Sequence, residues 1–418
     1  MGNMKILISG AGMAGSTLAF WLSKLGHNVT VIERFPHLRA SGLQLDLRGH
    51  GIEVMKRMGL EDAFRAKRTP EQGFELVGSS GMRWAYFPAN KSGQGPQSFT
   101  TEYEIMRSDL CHILHDTSKE RVRYIFGTSI ASFKEDEDAV EVCFHDKTTE
   151  RFDLLVGADG QGSRTRKMMM GRGKPDGFHP MDDTFAGYVT IPRTMEKGEG
   201  YNAKMYMAPG GRAIMTRRHS PDQMQAYLTC NFTSDRMKAI ARGPVQGQKE
   251  AIAEAFKGVG WKAEEIMKAM MEDNDFYLAE LGIVKLDKWY KGRIALVGDA
   301  AYCPSANTGM GTSSAIVGAY ILAGEIGKYC AGGATRETLA AALDSYDRKF
   351  RPFMDQVQKG LLDGGGFSGW MPQSALGITI MNCLAGAASL LRIDLASKLM
   401  REEIKDWELP EYEGVFKA

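Results

Sequence analysis

The hexapeptide Gly10-Ala11-Gly12-Met13-Ala14-Gly15 constrains the fold more than any other stretch of the chain. It follows Lys5–Ser9 (KILIS), a short run apolar on both faces, as in a buried parallel strand. It leads into Ala14–Leu25, which is apolar at helical spacing, and Asn28–Glu33 (NVTVIE) then reads as a second strand. The three pieces make a βαβ unit at the start of the chain. In such a unit Gly10 permits the tight turn, Gly12 lets a pyrophosphate approach the backbone, and Gly15 lets helix and strand pack closely. The phosphates would sit on the helix start at Met13 and Ala14, where unpaired N–H groups favour negative charge. Glu33 closes the second strand, where a carboxylate can accept hydrogen bonds from ribose hydroxyls. An acid there disfavours NADP at this site and leaves NAD and FAD both open. Arg34, next in sequence, can lie near an adenine or a phosphate.

The rest of the chain narrows the class. Its 418 residues allow two or three domains, or one large α/β enzyme with insertions. Fifty-two basic against 51 acidic side chains leave a net charge of +1, so electrostatics gives no reason to expect nucleic acid or an anionic membrane as partner. The six cysteines form no C-x-x-C pair and stand at no metal-ligand spacing, which predicts reduced thiols, no structural metal and a cytoplasmic setting. The glycines interrupt the apolar N-terminus, so it does not read as a signal peptide. Ala375–Leu391 is slightly short for a bilayer span and is expected to be a packed helix.

Further strands are expected at Phe74–Val77, Arg83–Phe87, Arg123–Phe126, Ile130–Glu135, Val140–Phe144 and Phe152–Val156, with helices at Ile52–Met58 and Ser108–Ser118. From Thr184 to Phe232 longer alternating strands suggest a mixed antiparallel sheet that binds the substrate. Helices are expected near Gln248–Lys257, Glu264–Met271 and Thr312–Tyr329, with a buried strand at Arg293–Val297. The fold class is therefore α/β: a Rossmann-like dinucleotide domain with an inserted mixed sheet and a C-terminal helical segment. Residues 1–73, 101–178 and 272–369 would form the first, 74–100 and 179–271 the second, and 370–418 the third.

Two more strand ends carry chemistry. Asp153-Leu-Leu-Val-Gly-Ala-Asp159-Gly160 puts an acid and a glycine at a strand's carboxyl end, where ligands gather in open α/β sheets, and runs on to Ser163 and Arg166. Gly292-Arg-Ile-Ala-Leu-Val-Gly298-Asp299 does the same and is followed by Gly309-Met310-Gly311 at a helix start. These three motifs in this order resemble the FAD-dependent aromatic-ring hydroxylases of the para-hydroxybenzoate hydroxylase fold, a glutathione reductase-like (GR2) class. Within it the chain is similar to the branch of tetracycline-inactivating and natural-product monooxygenases.

The resemblance implies that Gly10, Gly12, Gly15 and Glu33 hold the ADP half of FAD, that Asp159 and Gly160 serve FAD and NAD(P)H, and that Asp299 and Gly309 to Gly311 meet the ribityl chain and flavin ring. It implies a cofactor role for Arg107 in Glu104-Ile-Met-Arg107, and for the loop Gly42-Leu-Gln-Leu-Asp46-Leu-Arg48-Gly49 beside the flavin. It makes Arg212 the candidate arginine near flavin and substrate. Tyr302, Ala306 and Ser313 depart from the family pattern at positions expected beside the flavin's reactive edge.

The implied activity is oxidation by NADPH or NADH and O2, through a flavin C4a-hydroperoxide. It would hydroxylate, or oxidise in Baeyer–Villiger fashion, a bulky aromatic or polyketide-like small molecule. A flavin oxidase or dehydrogenase without oxygen insertion, and a non-catalytic FAD-binding protein, are the alternatives. No Ser-His-Asp set or carboxylate pair stands out, and the protein would act as a monomer or weak homodimer. Methionines at Met168–Met170, Met205–Met215 and Met267–Met271 are candidates for soft pocket lining. The segment Trp370–Trp407 would cap the pocket.

Overall fold

Strand Lys5–Ser9 is apolar on both faces because it runs through the middle of a six-stranded sheet. The order is Tyr290–Lys291, Ile294–Leu296, Leu154–Gly157, Lys5–Ser9, Asn28–Glu33, Arg123–Phe126, and only the Tyr290–Lys291 pairing is antiparallel. The computed structural model describes residues 3–38, 44–90, 101–232, 234–273, 275–363, 372–391, 404 and 406–416. Helix Met13–Lys24 and the long helix Gly311–Tyr329 pack against one another beside this sheet and are almost entirely buried. That burial explains why neither shows a polar stripe.

The sequence run Phe152–Val156 is split. Asp153 breaks it: its N–H donates to the Lys5 carbonyl and its Oδ2 accepts the Lys5 N–H at 2.7 Å. Thr149–Phe152 therefore pairs with Val140–Phe144 in a three-stranded antiparallel sheet, while Leu154–Gly157 pairs with Lys5–Ser9.

The larger sheet has seven strands in the order Tyr277–Val284, Phe178–Pro192, Gln223–Asn231, Arg212–Arg217, Asn202–Ala208, Gly73–Val77, Arg83–Pro88. All neighbours are antiparallel except Asn202–Ala208 with Gly73–Val77. Tyr277–Val284, placed by sequence with the dinucleotide segments, is thus an edge of this sheet, and Phe178 already belongs to it. One face packs on helices Val245–Ala255 and Ala263–Glu272 around Ile252, Phe256, Ile266 and Met270. The opposite face looks across a cleft toward the six-stranded sheet.

Two helices tie the assembly together. Arg336–Gln358, 23 residues long, starts with a Thr335/Thr338 capping box and buries Leu339, Leu343, Tyr346, Phe350 and Phe353. Ala375–Leu390 lies on strand Arg83–Pro88, and its Ser389 hydroxyl donates to the Tyr86 carbonyl and accepts the Tyr86 N–H. The helix is packed on one face only; Leu376, Ile380, Leu384 and Leu390 stay exposed. No helix among the described residues is long and apolar enough to cross a membrane.

Candidate functional site

A single cleft of about 1030 Å³ runs from the glycine motif to the seven-stranded sheet, at the top of the range for one drug-sized ligand. Its first end is built by strand-to-helix turns. Gly10, at φ +114°, occupies a conformation closed to most side chains, and a Cβ there would meet the Ala158 carbonyl at 2.5 Å. A Cβ on Gly15 would stand 1.9 Å from the Gly10 carbonyl oxygen. Those two glycines are demanded by the protein itself. Gly12 is not: a Cβ there meets nothing within 4 Å and would project into open space. Helix Met13–Lys24 has no side-chain cap and no acid in its first turn, so its N-terminal N–H groups face the cleft without a side-chain partner among the described residues. Helix Gly311–Tyr329 is uncapped in the same way and opens on the same cleft. Two positive helix ends converging on one cavity suit a ligand with a pyrophosphate at one end and an electron-rich ring at the other.

The predicted residues come together. Gly10, Gly12, Met13, Ala14, Glu33, Arg34, Asp46, Arg107, Asp159, Gly160, Asp299, Gly309, Met310 and Gly311 all line this cleft, and Gly15 packs just behind it. Their roles are not uniform. Glu33 staples the turn, accepting the Ala11 N–H at 3.0 Å and the Phe35 N–H at 3.1 Å, and each oxygen keeps a lone pair for a ribose. The Asp159 carboxylate is taken up by its own loop, accepting from the Ser163 hydroxyl, the Arg164 and Thr165 N–H groups and the Thr165 hydroxyl. It holds Gly160 in place instead of reaching outward. The buried Arg166 donates to Gln161 and Ala300 carbonyls and pairs with Asp176 at 3.0 Å, so it fastens this loop to the start of the Asp299 segment. Burial pushes the Asp299 carboxyl up, and the nearby Arg107 opposes the shift. Of the flavin-side loop, Gly42 and Leu43 lie outside the described residues; Asp46 pairs with Arg48 and accepts the Thr101 hydroxyl at 2.8 Å.

The profile of the family described as "FAD binding domain" matches residues 3–360. The FAD-dependent monooxygenase asL4 of Sarocladium schorii is 47% identical over a 429-residue alignment covering all of both chains. The flavin-dependent monooxygenase eupH of a Phoma species is 38% identical, with 99% of each chain covered. This chain belongs to that family of FAD-dependent monooxygenases. The crystal structure of tetracycline destructase Tet(55) superposes with a TM-score of 0.77 at 28% identity, covering 99% of this chain and 100% of that one.

Within this flavin monooxygenase fold three expectations need correction. Arg212 does not face the cleft; it donates to the Pro209 and Ala255 carbonyls on the helix side of the sheet. Arg217, five residues along the same strand and so on the other face, lines the cavity with Ala213 and Met215. Tyr302 points into the core among Trp289, Tyr346 and Phe350, and Ser313 is buried, accepting the Arg48 N–H at 2.9 Å. Only Ala306 of the three departures lines the cleft. Of the methionine groups, Met205, Met207 and Met215 line it, whereas Met169 and Met270 fill the two cores.

The sequence pointed to the sheet at 185–232 as the substrate wall but did not single out its aromatic residues. Tyr188 stacks on Tyr277 at 4.7 Å between ring centres and meets Tyr227 edge-on at 5.6 Å; all three line the cavity. Phe74, Phe87, Met381 and Ala385 complete an apolar rim, the last two from helix Ala375–Leu390. Ser305, also in the lining, holds φ +67°, an uncommon conformation for a residue with a side chain, in the loop before Gly309. Gln44, Glu104 and Arg217, which line the cleft, and Glu71 behind them form a buried polar cluster. Burial pushes the Glu104 carboxyl well above the ordinary range; Arg217 opposes the shift and the adjacent Glu71 and Asp46 reinforce it.

Proposed function

We propose that the chain uses NADPH or NADH and O2 to insert one oxygen atom into a bulky aromatic or polyketide-like small molecule, by hydroxylation or Baeyer–Villiger oxidation. The observation that carries this reading is the continuity of the cleft. One end offers uncapped helix termini and a Gly12 position that no protein atom requires, and the other an aromatic wall of Tyr188, Tyr227 and Tyr277. FAD bound there would supply the redox chemistry, taking hydride from the nicotinamide and activating oxygen.

The residues divide that work. Gly10, Gly12, Met13, Ala14, Gly15, Glu33 and Arg34 would hold the ADP half, with Gly10 and Gly15 shaping the turn. Asp46, Arg107, Asp299, Gly309, Met310 and Gly311 would hold the ribityl chain and ring. Asp159 and Gly160 would keep the intervening loop rigid. The first strand segments and the seven-stranded sheet would act as the dinucleotide and substrate parts, in a monomer or weak homodimer of the cytoplasm.

The deciding assay follows NAD(P)H oxidation and oxygen uptake on addition of aromatic polyketides, with ¹⁸O2 and mass spectrometry of the product. Gain of one labelled oxygen supports the proposal. Loss of two hydrogens without label would instead mark an oxidase or dehydrogenase, and no turnover with any candidate a binding protein.

A further inference from the structure

Thioether sulfur is concentrated at the substrate end of the cleft. Met205 and Met207, two residues apart on strand Asn202–Ala208, share one face, and Met215 stands directly opposite Met205 on strand Arg212–Arg217. Met381, from helix Ala375–Leu390, packs with Met205 and Met207 in one apolar cluster around Leu76, Phe87 and Ala385. All four methionines line the cavity, which runs without a break from there to the Gly309–Gly311 loop. Leucine replaces methionine in a packed wall at little cost, so shape alone does not call for this residue type. What methionine adds is a sulfur that a peroxide can oxidise. Phe74, Leu76, Phe87, Ala203 and Ala213, which line the same end, carry no such atom.

We propose that Met205, Met207, Met215 and Met381 form a modification site, where peroxide made in the cleft without substrate is consumed as methionine sulfoxide. The proposal rests on the monooxygenase reading, which puts oxygen reduction at the flavin end of the same cavity. With no substrate bound, reduced flavin passes two electrons and two protons to O2, giving H2O2 and oxidised flavin. A methionine sulfur then attacks one peroxide oxygen: the S–O bond forms, the O–O bond breaks, and the second oxygen leaves as water. The sulfur loses two electrons and the peroxide gains them. Each sulfoxide turns a soft apolar lining residue into a polar one. An S=O group set against Phe74 and Phe87 is costly to desolvate, so the oxidised cleft holds a bulky apolar molecule less firmly. Oxidation therefore throttles a protein that is spending reductant without substrate, and bound substrate protects the sulfurs by covering them. Methionine sulfoxide reductase would restore the rim.

The test uses the FAD-loaded full chain. Its flavin is reduced with dithionite under nitrogen, and the desalted protein is exposed to ¹⁸O2 in repeated cycles, with catalase in solution to destroy escaped peroxide. Peptide mass spectrometry then locates ¹⁸O-labelled sulfoxide, which oxidation by ordinary air during digestion does not produce. The four cleft methionines should carry at least about tenfold more label than Met82 and Met271, which are 59% and 38% exposed and would lead if peroxide arrived from solution. The planar apolar fluorophore 1-aminoanthracene should bind the labelled protein at least about tenfold more weakly, with affinity restored by methionine sulfoxide reductase. Replacing the four methionines by leucine should keep melting temperature and flavin content, and should raise the peroxide that escapes when catalase is omitted. The proposal is overturned if the cleft methionines stay unlabelled, or if Met82 and Met271 carry as much label. It is overturned as well if the labelled and unlabelled proteins bind the fluorophore alike, or if escaping peroxide is unchanged in the leucine variant. A yellow protein that reoxidises in oxygen with its cleft methionines unlabelled sinks this proposal alone; one whose reduced flavin does not react with O2 sinks the monooxygenase reading and this proposal together.

Discussion

Gly12 and Gly15 stand three residues apart in one motif, and the structure assigns them opposite reasons for being glycine. Gly12 has ordinary extended backbone, φ −77° and ψ −170°, and open space where a Cβ would go. Gly12→Ala should therefore leave the flavin-free protein within about 0.5 kcal/mol of its original stability. The same methyl group stands where a pyrophosphate must approach the helix N-terminus. Losing two charge-assisted hydrogen bonds at about 1.5–3 kcal/mol each weakens binding by about 3–6 kcal/mol, or two to four decades in Kd. Gly15→Ala places a Cβ 1.9 Å from the Gly10 carbonyl oxygen and 3.3 Å from the Ala158 Cβ. The strand-to-helix turn must shift, at an overpacking cost of about 3 kcal/mol or more. Denaturant unfolding of the flavin-free proteins, together with flavin titration, separates the two effects. The reasoning is refuted if Gly12→Ala binds flavin as tightly as the parent, or if Gly15→Ala unfolds at the parent's midpoint.

Three other outcomes follow from the geometry. Ala385→Phe pushes a ring into the apolar rim, so it should raise KM or abolish turnover with bulky substrates at full flavin content; lost flavin would show that the rim is not the substrate end. Tyr412 fills the space above Gly324 and donates to the buried Glu325; Tyr412→Ala should cost about 3–5 kcal/mol in unfolding measurements, and a neutral result would contradict its place in the core. Glu104 has its carboxyl raised by burial, so the folded state binds its proton more firmly than the unfolded chain does. Its contribution to stability must then fall as pH rises above the unfolded value of about 4.3, and Glu104→Gln should flatten that decline in denaturant midpoint. An identical pH profile in the variant would contradict this.

Much of the dinucleotide half was legible because its signals are local. Lys5–Ser9, Asn28–Glu33, Arg123–Phe126, Ile130–Glu135 and Val140–Phe144 have the ends expected from sequence. Phe152–Val156 was not divisible from pattern alone, since the break depends on Asp153 bonding to Lys5, 148 residues away. Tyr277–Val284 escaped because it is buried only in its second half, the first half facing the cleft rim at intermediate exposure. The helix Arg336–Gln358 contains Pro352, which reads as a breaker, yet the apolar ridge from Leu339 to Val357 overrides it.

The site shows the same division. The glycine turns and strand-end acids follow from motifs, whereas Gln44, Glu71, Glu104 and Arg217 meet only through tertiary folding and form no pattern along the chain. Arg212 follows from the family resemblance alone, and nothing in the sequence fixes which face of its strand it takes; Arg217, five residues along, has the opposite face.

The central claim is that one cleft, shaped by the turns at Gly10, Gly160 and Gly309, holds a flavin. Acid release of cofactor from the purified chain, quantified by absorbance and chromatography, addresses it directly. The account predicts a yellow protein yielding one FAD per chain, with Gly12→Val and Asp299→Ala colourless or nearly so. A colourless parent protein that also fails to take up FAD in a fluorescence titration would contradict it.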